Sequence, residues 1–255
     1  MKNSFRELMR RGDKVIGTFM MLDSPEVLEI IAQAGFDFVC IDNEHGGWED
    51  VNWAHLVRTA EAAGIAPIFR VPYLAEHMVK RALDIGAAGI MVPGISSAEE
   101  AREAVRISKF PPIGERGACP FVRANLYGDG DGQTYYAKAN EEVSLILLVE
   151  GKRGVESFDA IIETEGVDAV FFGPFDLSVS MGVPGQIHHP LVEGSIQRML
   201  ARANARGIYA GMLGTDAESA RNWLERGADY VLVQQDTLLL LGACKQMLQA
   251  VRCKA

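Results

Sequence analysis

The sequence predicts an α/β chain in which strand and helix alternate eight times and close into a parallel barrel. Three observations predict it. First, one phrase recurs with variation: A-G-F-D-F-V-C-I-D from Ala34, I-G-A-A-G-I-M-V-P from Ile85, E-G-V-D-A-V-F-F-G-P from Glu165 and R-G-A-D-Y-V-L-V-Q from Arg226. Each time a helical pattern stops at a glycine, which can take the left-handed conformation of a helix end, and a β-rich run follows at once. Second, the gaps between the phrases hold four more apolar runs of strand length, and strands alternating with helices imply a parallel sheet. Third, 255 residues is about the typical size of one (β/α)8 TIM barrel, so a single domain spanning 1–255 is expected. No G-x-G-x-x-G or P-loop follows a strand, which weighs against an open nucleotide-binding sheet.

The elements follow in order. Val15–Met20 is the first strand. Pro25–Ala34 is a helix, with Ser24 as its N-cap and proline in the first position. The second strand ends at Asp42, and a helix over Asp50–Ala63 leads to a third strand, Pro67–Val71. Glu76–Ile85 is helical, and the fourth strand closes on M-V-P. Ser97–Lys109 is the next helix, where Ser97 with Glu100 reads as a capping box. Val143–Val149 is the fifth strand and Arg153–Glu163 a helix, after which A-V-F-F forms the sixth strand. Leu191–Arg206, Ile208–Leu213, Asp216–Arg226, the run Y-V-L-V-Q and Thr237–Val251 complete the alternation. One stretch breaks the rhythm. Phe110–Gln133 is rich in Gly and Pro and too long for an ordinary connection, so it is expected to act as a lid or an oligomer contact. Asp129–Asp131 within it resembles the start of a calcium loop, but the later acidic ligands are missing and a solvated loop is the expectation.

Composition narrows the function. Hydrophobic residues make up 48% of the chain, enough for a sizeable core, and a net charge of −9 argues against a nucleic-acid or anionic-membrane partner. A local cation or arginine can still attract an anionic substrate. The four cysteines, Cys40, Cys119, Cys244 and Cys253, form no C-x-x-C pair and read as free thiols of a reducing compartment. The first residues are charged and lack an apolar signal region, and no apolar run approaches the ~20 residues of a membrane span. A soluble, cytoplasmic protein is expected.

Functional groups of a barrel gather at the C-terminal ends of its strands. Strand two ends I-D-N-E-H, placing Asp42 and His45 there; strand three ends F-R-V-P at Arg70; strand five ends V-E at Glu150; strand six runs through Gly173 and Phe175 to Asp176; strand seven ends with Leu213. Each has an ordinary alternative. Asp176 could cap a helix, Arg70 could be a structural ion-pair partner, and Asp84 could be a solvated helix acid. Glutamate is a poor cap, so Glu150 is the most informative. Two carboxylates without a His or Cys ligand suit Mg²⁺ or Mn²⁺, which take oxygen donors and keep positions for water or substrate. The carboxylate and ketone of a 2-oxo acid can fill two such positions, and the metal then acts as a Lewis acid that stabilises an enolate. Arg70 can balance the developing oxygen charge. His45 is of the one residue type that titrates near neutrality and can move a proton, with Asp42 three residues earlier as a candidate to orient its ring. His55, His77, His188 and His189 read as surface or packing residues. No lysine ends a core strand, which argues against a Schiff-base mechanism. Gly211–Gly214 resembles a barrel phosphate turn, but nothing basic follows it.

These residues resemble the metal-dependent 2-oxo-acid aldolases of the HpcH/HpaI aldolase/citrate lyase type, which include 4-hydroxy-2-oxoheptanedioate and 2-dehydro-3-deoxyglucarate aldolases. The resemblance runs from about Gly17 to Leu241. It rests on G-F-D-F-V-C-I-D-N-E-H, R-V-P at Arg70, L-D-I-G-A-A-G-I-M-V-P around Asp84, K-F-P-P-I-G-E-R-G from Lys109, L-V-E at Glu150 and E-G-V-D-A-V-F-F-G-P-F-D-L-S. It implies a TIM barrel, a homohexamer with an exchanged C-terminal helix, and Mg²⁺, Mn²⁺ or Co²⁺ held by Glu150 and Asp176. It implies reversible cleavage of a 4-hydroxy-2-oxo acid to pyruvate and an aldehyde. Arg70 would contact pyruvate, the backbone at Gly173 and Phe175 would bind its carboxylate, His45 would work with Asp42 through water, and Asp84 would be a further active-site acid. Two departures stand out: Leu148 occupies a position where glutamine is common, and Gly46-Gly47-Trp48 replaces the usual Ala-Pro. The aldehyde partner is therefore not transferable. Rival readings are oxaloacetate decarboxylation or a CoA-ester lyase on the same metal–enolate site, and a barrel that binds a ligand without catalysis.

Overall fold

The computed structural model describes residues 4–46 and 53–252. The expected helix from Asp50 is described from Trp53, and Gly47, Trp48 and Cys253 lie outside the described residues. Eight parallel strands close in sequence order, β1 pairing with both β2 and β8. After helix α1 (Phe5–Arg10) come β1 (Val15–Met20), α2 (Pro25–Gln33), β2 (Phe38–Asp42), α3 (Trp53–Ala63), β3 (Ala66–Arg70), α4 (Glu76–Asp84) and β4 (Gly89–Val92). Then follow α5 (Ala98–Ser108), a 3-10 turn (Arg123–Gly128), α6 (Tyr135–Glu142), β5 (Ser144–Val149), α7 (Lys152–Glu156), α8 (Phe158–Ile162) and β6 (Ala169–Phe172). The chain closes with α9 (Pro174–Ser180), α10 (Pro190–Ala205), β7 (Tyr209–Gly214), α11 (Ala217–Glu225), β8 (Tyr230–Gln235) and α12 (Asp236–Arg252).

The four repeat glycines behave as the recurring phrase requires: Gly35, Gly86, Gly166 and Gly227 have φ of 92°, 102°, 95° and 106°. Ser24 accepts from Val27 N at 3.3 Å and Ser97 from Glu100 N at 3.2 Å, so both caps form. Glu100 answers to Ser96, whose N–H and hydroxyl it accepts at 2.7 and 2.9 Å, rather than to the cap residue. The expected helix Arg153–Glu163 breaks at Ser157 into α7 and α8. Helices α1, α6 and α9 were not expected from the apolar pattern, since each is short and is fixed by tertiary contacts.

The core has two layers. One lies between strands and helices. The other fills the barrel with Val15 and Phe19 of β1, Phe38 and Cys40 of β2, Ile68 of β3, Met91 of β4, Ile146 and Leu148 of β5, Phe171 of β6 and Leu232 of β8. Large and small residues interlock there. A Cβ at Gly17 would lie 2.5 Å from the Phe38 ring, and one at Gly211 would lie 2.1 Å from that of Tyr230. Helix α1 plugs the N-terminal end: Phe5 meets Phe38 and Tyr230 edge-on at 4.9 and 5.3 Å. Below it, buried Lys109 pairs with Asp168 at 2.7 Å, and Arg6 reaches the same carboxylate at 3.1 Å. With that end shut, the charged side chains that follow the inward parity of β2, β3 and β5 lie at the opposite rim.

The long connection does not lie where a lid would. Helix α5 returns the chain to the N-terminal end of the barrel, so the segment from Phe110 to Gln133 sits there, away from the C-terminal strand ends of its own chain. It walls a cavity with Leu83 and Gly86 that also holds Arg116, Arg123 and Tyr135. Asp131 caps a local turn, accepting from Gln133 N and the Thr134 hydroxyl at 2.9 Å each, as a solvated loop would. Cys40 is buried and free, and burial pushes its thiol up, as expected of an inert core residue; Cys119 and Cys244 are also free. Among the described residues no helix is long and apolar enough to cross a membrane.

Candidate active site

Strand parity assembles the site. Side chains alternate between faces along a strand, so the residues that follow inward Phe38 and Cys40, Ile68, Ile146 and Leu148, and Phe171 by twos are Asp42, Arg70, Glu150 and Gly173. Asp42 and Arg70 are register partners in the β2–β3 pair. Arg70 donates to Asp42 through Nε at 2.9 Å and Nη2 at 2.5 Å, a two-pronged pair with Asp42 1% and Arg70 11% exposed. Its guanidinium also lies 4.6 Å from the Phe19 ring centre. Burial works against the arginine charge, but the Asp42 hydrogen bond and charge outweigh it and hold Arg70 above its ordinary value.

Asp42 is thereby committed. Its Oδ1 also accepts from the backbone N–H of Glu44 at 3.0 Å and of His45 at 3.3 Å. It shapes the turn after β2 rather than meeting the His45 ring, which corrects the simple expectation of an Asp42–His45 contact. The imidazole is exposed, and Nε2 lies 3.9 Å from Oε2 of Glu44.

Glu44 is the residue the sequence reading passed over. Its Oε2 is buried and without a hydrogen bond; Arg70 Nη1 stands 3.1 Å away, at ion-pair distance but off the donor angle. Burial raises its pKa, Arg70 and His45 lower it, and Asp42 and Asp176 raise it further. Spacing offered a signal, since Glu44 lies two residues after Asp42, but the turn there hides strand parity.

Glu150 accepts from Gly94 N at 2.9 Å through Oε1. Burial first, then the charges of Glu44 and Asp176, push its pKa up to about 7. The space beside it is closely shaped: a Cβ at Gly173 would lie 2.8 Å from both Cβ and Oε2 of Glu150, and 3.4 Å from Leu148 Cδ1. Gly173 has an ordinary φ of −93°, so glycine is demanded here by room and not by conformation. Gly173 is also the N-cap of α9, with Pro174, Phe175 and Asp176 in its first turn. Asp176 is therefore not the helix cap; it is exposed, and its charge acts on Glu44 and Glu150. Phe175 is exposed, and its N–H and that of Asp176 belong to the helix start, where no intrahelical acceptor exists.

Leu148 and Leu213 face the barrel interior below this rim, with Phe19 and Phe171 beside them. Asp84 is not brought into the cluster. It ends α4, at the N-terminal end of the strands, and pairs with buried Arg116 at 2.7 Å. His55 and His77 are exposed, His188 pairs with Glu193 at 2.9 Å, and His189 caps α10.

The donor set suits a hard cation. Carboxylates from Glu44, Glu150 and Asp176 feel one another's charge, one of their buried oxygens lacks a donor, and Arg70 is mostly used by Asp42. Among the described residues no three His, Cys, Asp or Glu side chains close into a metal cage. Glu150 and Asp176 would thus be two protein ligands, leaving other positions to water or substrate.

Comparison with known proteins follows this geometry. A family model described as HpcH/HpaI aldolase/citrate lyase matches residues 15–243. The chain is 37% identical over 240 residues to a protein of Salmonella gallinarum named 2-keto-3-deoxy-L-rhamnonate aldolase, covering 94% of this chain and 89% of that one. A solved HpcH/HpaI aldolase/citrate lyase family protein from Burkholderia cenocepacia J2315 superposes with a TM-score of 0.93 at 38% identity, over 98% of this chain and 100% of the other. A solved protein described as citrate synthase SbnG superposes with a TM-score of 0.90 at 31% identity, over 98% and 97%.

Proposed function

This chain belongs to the HpcH/HpaI aldolase/citrate lyase family, and from that premise we propose that it is a divalent-metal-dependent lyase that splits a 4-hydroxy-2-oxo acid reversibly into pyruvate and an aldehyde. Family membership makes it an enzyme of the lyase class. The observation that carries the finer reading is the convergence of Glu150 and Asp176 with Arg70 at the C-terminal rim of the barrel, where burial and like charge push Glu150 up to about 7. Such a pair is costly without a cation and favourable with one.

Glu150 and Asp176 would hold Mg²⁺, Mn²⁺ or Co²⁺. The cation supplies Lewis-acid polarisation of the substrate's ketone, which lowers the cost of forming an enolate. The protein's own groups do the rest. Arg70, fixed by Asp42 and lying beside the Phe19 ring, directs positive charge at the oxygen that becomes negative. The N–H groups of Phe175 and Asp176, with Gly173 leaving room, bind the substrate carboxylate. His45 takes the proton from the C4 hydroxyl as the C3–C4 bond breaks, the bonding electrons pass to the C2 oxygen, and the aldehyde leaves; return of a proton to C3 gives pyruvate. Leu148 and Leu213 form an apolar floor that keeps water from the carbanion.

The relative named 2-keto-3-deoxy-L-rhamnonate aldolase supports 3-deoxy-2-oxo sugar acids as the first substrates to try. Oxaloacetate decarboxylation, which needs the same enolate, is the rival, with CoA-ester lyase activity behind it. We also read the protein as a homohexamer with an exchanged C-terminal helix, supported by exposed Leu238, Leu240, Leu241, Met247, Leu248 and Val251 on α12. In one barrel Asp84 lies at the wrong end for His45, so any catalytic use of it needs a second subunit. The deciding measurement is pyruvate release from 3-deoxy-2-oxo acids after EDTA treatment. Activity should vanish and return with Mg²⁺ or Mn²⁺; full turnover in chelator sinks the metal role. A faster rate on oxaloacetate than on any hydroxy-oxo acid would favour the rival.

A further inference from the structure

Glu44 has no task in the mechanism above, yet one of its oxygens is the conspicuous unpaired atom of the rim. Resting on the metal-dependent reading, we infer that Glu44 is a positioning residue whose Oε2 accepts a hydrogen bond from water hydrating a cation held by Glu150 and Asp176, while its charge steadies the Nη1 edge of Arg70.

Three observations converge. The first is chemical. A buried acceptor without a donor is destabilising, and Oε2 of Glu44 is such an acceptor. Its neighbours do not satisfy it: Arg70 Nη1 at 3.1 Å is off-angle, and the His45 ring is 3.9 Å away. The second is spatial. Glu44 and Glu150 line one cavity of about 290 Å³ with Gly94, Pro93 and Tyr73, enough room for several waters. The third is electrostatic. Glu150 and Glu100 line this space and the charge of Asp176 reaches Glu44; these carboxylates offer acceptors only when ionised, and the Tyr73 phenol on the same wall makes no hydrogen bond to Oε2 of Glu44. No protein group donates to Oε2, which leaves that position to a water, and hydrating water turns its hydrogens away from a cation and toward an anion. Glu44 is thus set to receive them. It is placed by Asp42, whose Oδ1 holds the Glu44 N–H at 3.0 Å, so the acid that orients Arg70 also fixes this one.

The test is Mn²⁺ binding to substrate-free protein, followed by loss of the free-ion EPR signal, in wild type and in Glu44→Ala, Glu44→Gln and Glu150→Gln. Glu44→Ala should weaken Mn²⁺ by about 10–100-fold, as removal of outer-shell partners does. Glu44→Gln keeps an acceptor oxygen and should weaken it less than tenfold, roughly the lower bound of that range. Glu150→Gln should weaken it most. Melting temperatures in EDTA should stay within about 4 °C of wild type for both Glu44 variants. Wild-type Mn²⁺ affinity in Glu44→Ala overturns the inference. So does a loss in Glu44→Gln equal to that in Glu150→Gln, which would make Glu44 a direct ligand, or a large metal-free destabilisation, which would make its role structural. If Glu150→Gln binds Mn²⁺ as tightly as wild type, the metal reading itself fails, whatever the Glu44 variants do.

Discussion

Arg70 and Asp42 face each other across the β2–β3 register and join through two hydrogen bonds of 2.9 and 2.5 Å. A buried pair that loses one partner leaves an uncompensated charge. Asp42→Ala should therefore lower unfolding free energy by about 3–5 kcal/mol, read from urea denaturation in EDTA. A loss below about 1 kcal/mol, the surface-pair range, would mean that the pair is not held as described. Arg70→Lys should keep most of the stability but lose the planar fork, and kcat should fall more than KM rises.

Gly173 is tied to Glu150 by space. Gly173→Ala places a Cβ 2.8 Å from two atoms of Glu150, so the carboxylate must move or the strand end must shift. Mg²⁺ affinity should fall by at least about tenfold, the scale on which small disturbances beside a metal ligand act. Calorimetric titration checks it; an unchanged dissociation constant would show that Glu150 has freedom to spare.

The His45 ring is exposed and donates no hydrogen bond to Asp42, so its loss should spare the fold. His45→Ala should slow carbon–carbon cleavage by about 10²–10⁴ while leaving Mn²⁺ affinity and melting temperature close to wild type. An unchanged cleavage rate removes His45 from the proton transfer.

Stability should depend on pH with a sign set by Glu150. Its pKa rises from an ordinary 4.5 to about 7 in the fold, through burial and then the charges of Glu44 and Asp176. Between those values the native state binds more proton than the unfolded one. The metal-free protein should therefore lose stability as pH rises through that window. Urea midpoints in EDTA at pH 5 and pH 7.5 should fall for wild type by more than for Glu150→Gln, and Mg²⁺ should recover more stability at the higher pH. Equal slopes for the two proteins would falsify the assignment of the shift to Glu150.

Much of this was legible along the chain because it is written in local signals. Glycine-terminated helices announced the β/α units, and all four repeat glycines take positive φ. The acids and arginine at strand ends were legible because strand parity carries from the packed interior to Asp42, Arg70 and Glu150. Other features were not local. Glu44 sits in a turn without fixed parity, and its place beside Arg70 depends on Asp42 bending the backbone. The Phe110–Gln133 segment could be recognised as unusual but not located, because its position follows from where α5 delivers the chain.

The sequence by itself determined the eightfold alternation, the closed barrel and the set of chemical groups at its rim, since periodicity, helix caps and strand ends are properties of short stretches. Only the tertiary structure decided which groups act on which. It gave Asp42 to Arg70 instead of the His45 ring and put Asp84 with Arg116 at the far end. It also pressed Gly173 against Glu150 and brought Glu44 into range of the charges of Arg70, Asp42, Asp176 and Glu150. Those outcomes rest on strand register, burial and the like-charge coupling of groups up to 132 residues apart, from Glu44 to Asp176, which no local pattern encodes.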